Sequence, residues 1–372
     1  MPETARTPEL WLHGAWTSRP GPLVRAGLNV AAATYRALLG ARSASYRMGL
    51  LSTRRLPVPV VSVGNLTVGG SGKTPLAEVV ALALGEMGAR PAIVSRGYGR
   101  RTRGVHVVSD GRSVLLEPKD GGDEPVLLAE RLPGVPVVVG ESRYEAGVAA
   151  IGRCGAGSLV IDDGFQHRTL AKDLDIVAVS GREPWGNGRL FPRGSLREPL
   201  SALARAGVVV VTNPPAAAAA GDVADAVRRR SSHAIVLSGL YRPASLRRGG
   251  QADAPSALVA RRVLALAGIA APAGFVATAE AAGAEVCALE AFPDHHWYTA
   301  ADLARVAVRA RKMGAEAILT TEKDWVRLRD LAPGNVPVWT LTVQLDLGAD
   351  RGTLVQALRE AVERAAVGRR AP

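Results

Sequence analysis

Short runs of β-branched and aliphatic residues recur along the chain, each followed by a glycine-rich or polar stretch and then by an amphipathic run. Residues 60–63, 92–95, 136–139, 159–161, 175–179 and 208–212 have the length and composition of buried strands. Residues 76–84, in the first interval, carry apolar positions at helical spacing. This alternation predicts a doubly wound, mostly parallel sheet with helices on both faces. Residues 105–108 and 114–116 flank Asp110-Gly111 and predict a hairpin. Residues 214–220 read as a Pro/Ala-rich break. A second, smaller α/β series follows, with strands at 263–266, 285–291 and 317–321. Thr299 and Asp302 have capping-box spacing at the start of a helix that Lys312-Met313-Gly314 ends. Residues 234–237 and 338–343 stand on either side of this series and are expected to pair as a two-stranded hinge. The division expected is an N-terminal amphipathic segment over 1–55, a first unit over 56–232, a second α/β unit with its hinge strands over 233–350, and a C-terminal helix over 351–372 that returns to the first unit.

The chain has 372 residues, too many for one typical core, which agrees with two units. Cys154 and Cys287 are its two cysteines, and they lie far apart with no zinc spacing and no disulfide framework. The net charge of +12 is compatible with nucleic acid, an anionic membrane or an acidic substrate. Aromatics make up 4% of the chain and show no RNP pattern, so no nucleic-acid partner is expected. Residues 23–51 read as a basic amphipathic helix, preceded by Trp11 and Trp16 as possible anchors. No apolar run reaches the ~20 residues that span a bilayer. Such a helix either packs on the core or lies in a membrane interface.

Candidate chemistry concentrates at two strand ends. After residues 60–63 comes Gly64-Asn65-Leu66-Thr67-Val68-Gly69-Gly70-Ser71-Gly72-Lys73-Thr74-Pro75, ahead of the first helix. Glycines bring backbone N–H groups close to a ligand at a helix N-terminus, which attracts anions. Lys73 supplies a charge for terminal phosphates and Thr74 a hydroxyl for Mg²⁺, the mechanics of a P-loop nucleotide site spanning Thr67 to Thr74. Thr67 stands where the common pattern has its first glycine. The second strand end is Asp162-Asp163-Gly164-Phe165-Gln166-His167, where an acid at the tip of an apolar strand is placed to hold Mg²⁺. An Asp-Gly turn capped by Asp163 is the plainer alternative. These features predict a P-loop NTPase-type fold that binds the phosphates of a nucleoside triphosphate with Mg²⁺.

Together with Ser95-Arg96-Gly97-Tyr98-Gly99-Arg100, Gly122-Asp123-Glu124-Pro125, Arg197-Glu198-Pro199, Phe292-Pro293-Asp294-His295 and Thr321-Glu322-Lys323-Asp324, these motifs closely resemble the tetraacyldisaccharide 4'-kinase family of lipid A biosynthesis. They span most of the chain in that family's order, and Thr67 is similar to the family's own loop. The resemblance implies transfer of the ATP γ-phosphate to the 4'-hydroxyl of a tetraacylated glucosamine disaccharide 1-phosphate. It implies Asp123 as the proton acceptor, with His295 from the second unit beside it and Lys73 on the phosphates. His296 is an equally placed alternative to His295 in sequence. Arg96, Tyr98, Glu124, Arg143, Arg197 and Glu198 are expected against the anionic disaccharide, with Asp163, Gln166 and His167 as ion or substrate contacts. The resemblance also favours the membrane reading of the N-terminal helix: a monomeric, peripheral protein on the cytoplasmic side of the cell inner membrane. A soluble small-molecule kinase and a nucleotide-driven switch are the rival readings.

Overall fold

The computed structural model describes residues 21–249, 251–331 and 336–368. Trp11 and Trp16 lie outside the described residues. The first unit contains strands β1 (Val60–Asn65), β2 (Pro91–Ser95), β3 (His106–Ser109), β4 (Val137–Val139), β5 (Ser158–Asp162), β6 (Leu174–Ser180) and β7 (Val208–Thr212). The second contains β9 (Gln251–Asp253), β10 (Arg262–Ala267), β11 (Glu285–Ala291) and β12 (Ala317–Thr321). Two long strands join the units, β8 (Ile235–Arg248) and β13 (Val338–Asp346). The helices in chain order are α1 (Pro22–Arg47), α2 (Lys73–Glu86), the single turn α3 (Pro118–Gly121), α4 (Asp123–Arg131), α5 (Arg143–Cys154), α6 (Ala217–Arg228), α7 (Pro272–Ala281), α8 (Ala300–Lys312), α9 (Glu322–Leu328) and α10 (Arg351–Gly368).

One hydrogen-bonded sheet runs β11-β10-β12-β13-β8-β7-β6-β1-β5-β2-β4-β3, with β9 against β8. β1 lies parallel between β5 and β6, with Val63 opposite Asp162. The sheet's continuity comes from β8. Residues 235–239 of β8 pair parallel with β7. The remainder pairs antiparallel with β13, with a register shift at Thr342/Val343. Residues 235–237 therefore do not pair with 338–343 as expected. They lie beside β7, and the partner of 339–343 is the later part of the same strand, 243–248, where Pro243 and Arg247 interrupt the apolar pattern without breaking the pairing.

Buried aliphatics hold the layers together. α2 buries Leu76, Val80 and Leu84 against β1 and β5 strand residues, at about 1.5–3 kcal/mol each. α10 packs Leu354, Leu358 and Ala361 into the same cluster. Thr299 and Asp302 form the capping box at the start of α8.

Two local expectations fail. The hairpin over 105–116 reduces to one bridge between Ser109 and Val114, and β3 pairs antiparallel with β4 instead. Asp110 Oδ1 accepts the Arg112 and Ser113 N–H groups, so the turn satisfies itself. Val114 and Leu115 stay exposed, the Leu115 N–H donates to the Val108 carbonyl at 2.7 Å, and of this arm only Leu116 packs on the core. The Pro/Ala break over 214–220 becomes the first turn of α6 from Ala217, where consecutive alanines favour helix.

α1 buries only Leu28 among its 26 residues, while Leu23, Val30 and Leu38 are 88%, 68% and 63% exposed. Leu28, Ala32, Tyr35 and Leu39 are among its less exposed positions, and two bonds tie it to the first unit: Tyr35 donates to the Arg197 carbonyl at 2.8 Å and Arg42 to the Gln166 carbonyl at 3.1 Å.

Gly64 sits where β1 meets the Asp162-Asp163-Gly164-Phe165 turn, and a Cβ there would lie 2.6 Å from Phe165 Cβ. Gly64→Ala is therefore expected to destabilise the fold by about 1–3 kcal/mol in chemical denaturation. Unchanged stability would show that the turn can move aside.

Candidate active site

Parallel strands bring their C-terminal ends to one edge, and the candidate residues leave from that edge. Gly69 and Gly72 take φ of 114° and 83°, which lets the loop after β1 turn sharply into α2. A Cβ at Gly72 would lie 1.8 Å from the Tyr241 hydroxyl, so β8 closes the floor of the loop. Thr212 Oγ1 donates to the Ser71 carbonyl at 3.0 Å. The front of the loop is held by the irregular segment before Arg197: Thr67 bridges Leu196, and the Val68 N–H donates to the Ser195 carbonyl at 2.7 Å. Gly70 approaches the second unit, since a Cβ on it would lie 3.2 Å from Ala270 Cβ. Lys73 Nζ is 3.3 Å from both Asn65 Oδ1 and Asp163 Oδ1.

Asp162 ends β5 beside this loop and is buried. Burial, with Glu124 and Asp163 nearby, pushes its carboxyl up to about 7 against the pull of Lys73 and a 3.2 Å bond from Ser95. Asp162 Oδ1 and Ser71 Oγ are buried without a hydrogen-bond partner. No cluster of three or more His, Cys, Asp or Glu forms a metal cage among the described residues. One unsatisfied carboxylate oxygen at the tip of β5, the strand beside the one that leads into the Thr74 loop, suits Mg²⁺, which is commonly held by one or two protein oxygens plus phosphates and water.

Asp163 takes φ of 52° and turns away from Asp162. Arg197 Nη1 reaches its two oxygens at 2.9 and 2.8 Å. Burial opposes its charge, but Lys73 and Arg197 outweigh burial and hold the carboxyl below its usual range. A cavity of about 430 Å³ opens here, with α1 along one wall. Arg96, Arg143, Gln166, His167, Arg197 and Glu198 line it, joined by Tyr35 and Arg42, which sequence reasoning did not place. Within it, Gln166 Nε2 donates to the Asn65 carbonyl at 2.8 Å, Glu198 pairs with Arg205, and His167 Nε2 meets Thr169 Oγ1. Burial, then Arg143, Lys172, Arg42 and Arg96, pushes His167 down to about 4. The wall is thus rich in arginine and keeps this imidazole neutral near pH 7.

On the far side of the Arg96 loop, Asp123 opens α4 after Gly122, whose φ is 92°. Asp123 Oδ1 accepts the Glu124 N–H at 2.9 Å, and Oδ2 lies 2.9 Å from His295 Nδ1. Burial disfavours the Asp123 charge, but the His295 bond, Lys323 and Arg327 outweigh it and hold the carboxyl below its usual range. Burial opposes the His295 proton too, yet the bond to Asp123 and the charges of Asp123 and Asp294 raise it above its ordinary value. Tyr98 sets its ring 5.3 Å from that of His295. His296 turns the other way, stacks on Phe292 at 4.7 Å and contacts Asp302. Of the two histidines, His295 is thus the one in contact with Asp123. Glu124, expected against substrate, is engaged at 2.9 Å by Lys323. Lys323 and Arg327 had no role in the sequence reading. Lys323 stood within the Thr321-Glu322-Lys323-Asp324 motif without an assigned role, and Arg327 had no signal.

A P-loop on α2, an acid at the tip of the neighbouring strand, and a carboxylate–imidazole pair shared between two units define a P-loop phosphotransferase. The chain belongs to the tetraacyldisaccharide-1-P 4'-kinase family, LpxK, whose family model matches residues 24–363. It is 47% identical over 319 residues to the tetraacyldisaccharide 4'-kinase of Anaeromyxobacter dehalogenans strain 2CP-C, covering 84% of each chain. It is 42% identical over 329 residues to that of Syntrophus aciditrophicus, covering 86% of this chain and 88% of the relative. The crystal structure of LpxK from Aquifex aeolicus in complex with ATP superimposes with a TM-score of 0.71 at 28% identity, covering 91% of this chain and 99% of that one.

The two histidines separate in an assay. His295→Ala is expected to lower kcat by roughly 100-fold or more, whereas His296→Ala stays within a few-fold of the parent. Equal losses in both would contradict the assignment.

Proposed function

We propose that this chain transfers the γ-phosphate of ATP to the 4'-hydroxyl of a tetraacylated glucosamine disaccharide 1-phosphate, with Asp123 as proton acceptor. The observation that carries the reading is the meeting of Asp123 and His295, contributed by different units, on the sheet edge that carries Lys73. Phosphoryl transfer needs positioning and charge neutralisation more than covalent chemistry. Lys73 and the N–H groups of Gly69 to Thr74 bind the β- and γ-phosphates. Thr74 and Asp162 are the residues that would hold Mg²⁺, which supplies further neutralisation of phosphate charge. The acceptor oxygen attacks the γ-phosphorus while its proton passes to Asp123. The bond from phosphorus to the β-phosphate oxygen breaks, and ADP leaves.

The cavity beside Asp163 suits the anionic head of such an acceptor, because Arg42, Arg96, Arg143 and Arg197 face it, while of its three carboxylates Asp163 is paired with Arg197 and Glu198 with Arg205. Planar guanidinium groups match phosphate oxygens in pairs. α1 borders the same cavity and exposes Leu23, Val30 and Leu38. An acyl-chain acceptor is reached most directly from a lipid surface, so α1 docks the enzyme peripherally on the cytoplasmic face of the inner membrane. No helix among the described residues is long and apolar enough to cross a membrane.

Incubation with Mg²⁺-ATP and the detergent-dispersed disaccharide tests the reaction. The parent is expected to move γ-phosphate label into lipid, and Lys73→Ala and Asp123→Ala to lose at least about 100-fold in rate. Intact ATP binding without lipid product would reject the acceptor. Docking is tested with anionic vesicles: a Leu23→Ser/Val30→Ser/Leu38→Ser variant should cosediment several-fold less than the parent. Equal cosedimentation by a folded variant would reject it.

A further inference from the structure

Three elements crowd charged groups around the Asp123–His295 contact. α4 brings Asp123 and Glu124, the loop after β11 brings Asp294 and His295, and α9 brings Lys323, Asp324 and Arg327. Asp324 anchors α9: it is fully buried, accepts the Gly268 N–H at 3.0 Å and the Tyr298 hydroxyl at 2.7 Å, and pairs with Arg327. This anchoring fixes where Lys323 emerges. Lys323 Nζ lies 2.9 Å from Glu124 Oε1, 3.0 Å from Asp294 Oδ1 and 3.3 Å from His295 Nε2.

An ammonium group has three hydrogens and no lone pair. The three partners match its three hydrogens, and His295 Nε2 can then only accept. A neutral His295 must carry its hydrogen on Nδ1, the atom 2.9 Å from Asp123 Oδ2. We propose that Lys323 is the positioning residue that fixes His295 in its Nδ1–H tautomer, so that the imidazole donates to Asp123 and keeps it an anionic proton acceptor. The inference rests on Asp123 being the group that activates the acceptor hydroxyl.

A proton added at Nε2 would meet the Lys323 ammonium at 3.3 Å and the Asp294 carboxylate at 3.9 Å, so Lys323 opposes that proton while Asp294 favours it. The proton from the acceptor hydroxyl ends on Asp123, where Oδ1 is steadied by the Glu124 N–H and Oδ2 by His295. Lys323 also links the two units, since Glu124 belongs to the first and Asp294 to the second. The Asp123–His295 contact and the tautomer that makes it useful are therefore set by the same closed arrangement. Glu124, Asp294 and Asp123 raise the Lys323 ammonium above its usual range despite burial, so it stays charged throughout the working pH range.

The first test is ¹⁵N NMR of the wild-type enzyme labelled at histidine. The expected signature is a protonated Nδ1 and a bare, hydrogen-bonded Nε2 for His295. Lys323→Met and Lys323→Arg then separate positioning from support. Removing the cation makes protonation of Asp123 and His295 easier, so the acidic limb of kcat/KM should rise by about one pH unit in Lys323→Met. Its kcat should fall on the order of 100-fold with KM for ATP unchanged. Lys323→Arg should return the limb to its parental position. A wild-type His295 protonated at Nε2 alone overturns the proposal. So does a Lys323→Met enzyme that loses rate without moving the limb or the tautomer, since Lys323 would then be a strut only. If Lys323→Met fails to fold, the wild-type spectrum and the Lys323→Arg profile decide. The spectrum requires no lipid, so absence of lipid phosphorylation would reject the proposed reaction and leave the tautomer result standing.

Discussion

A buried carboxylate is costly unless it is paired, and the placement of Asp123 follows from how that cost is met. Asp123 opens a helix of the first unit and is 4% exposed. The groups that offset its burial, His295, Lys323 and Arg327, all come from the second unit. Neither unit alone makes the site. The contact between units is thus held by the same charges that keep Asp123 ionised and able to accept a proton. Other ion pairs reinforce the seam: Arg131 reaches Glu78 on α2, Glu322 at the start of α9 and the Val343 carbonyl on β13.

The joining strands give this seam its geometry. β8 begins in the first unit's parallel sheet and ends paired with β13, so a bend along it changes how the second unit faces the first. Tyr241 lies on β8 just past the change of partner, and its hydroxyl sits against Gly72. The phosphate loop and the joining strands therefore share a contact. Ala270 against Gly70 adds a second point where the units meet at the loop.

Much of this was legible in the sequence because it depends on local chemistry. The strand, glycine loop and helix around Lys73 are written in consecutive residues, and so is the acid at the end of β5. The sheet's parallel order follows from the alternation of strand and helix. What was not legible depends on partners distant in sequence. His295 and His296 are adjacent and chemically identical, and what separates them is tertiary: the positive φ of His295 and its contact with Asp123, against the stacking of His296 on Phe292 and its contact with Asp302. Lys323 lies 199 positions from Glu124, and nothing in its neighbours announces that pairing. The length of β8 was missed because arginine and proline obscure its apolar alternation. The 105–116 hairpin is shorter than alternation and Asp-Gly suggest, because β3 takes β4 as its strand partner and the second arm keeps a single bridge.

The account stands on Asp123 being the group that meets the acceptor hydroxyl. A crystal structure with Mg²⁺, a non-hydrolysable ATP analogue and the tetraacyl disaccharide 1-phosphate tests this most directly. The expected result places the 4'-hydroxyl within about 2.6–3.2 Å of an Asp123 oxygen and in line with the γ-phosphorus. A well-ordered 4'-hydroxyl in line with the γ-phosphorus, out of reach of Asp123 and bonded to another base, would contradict it.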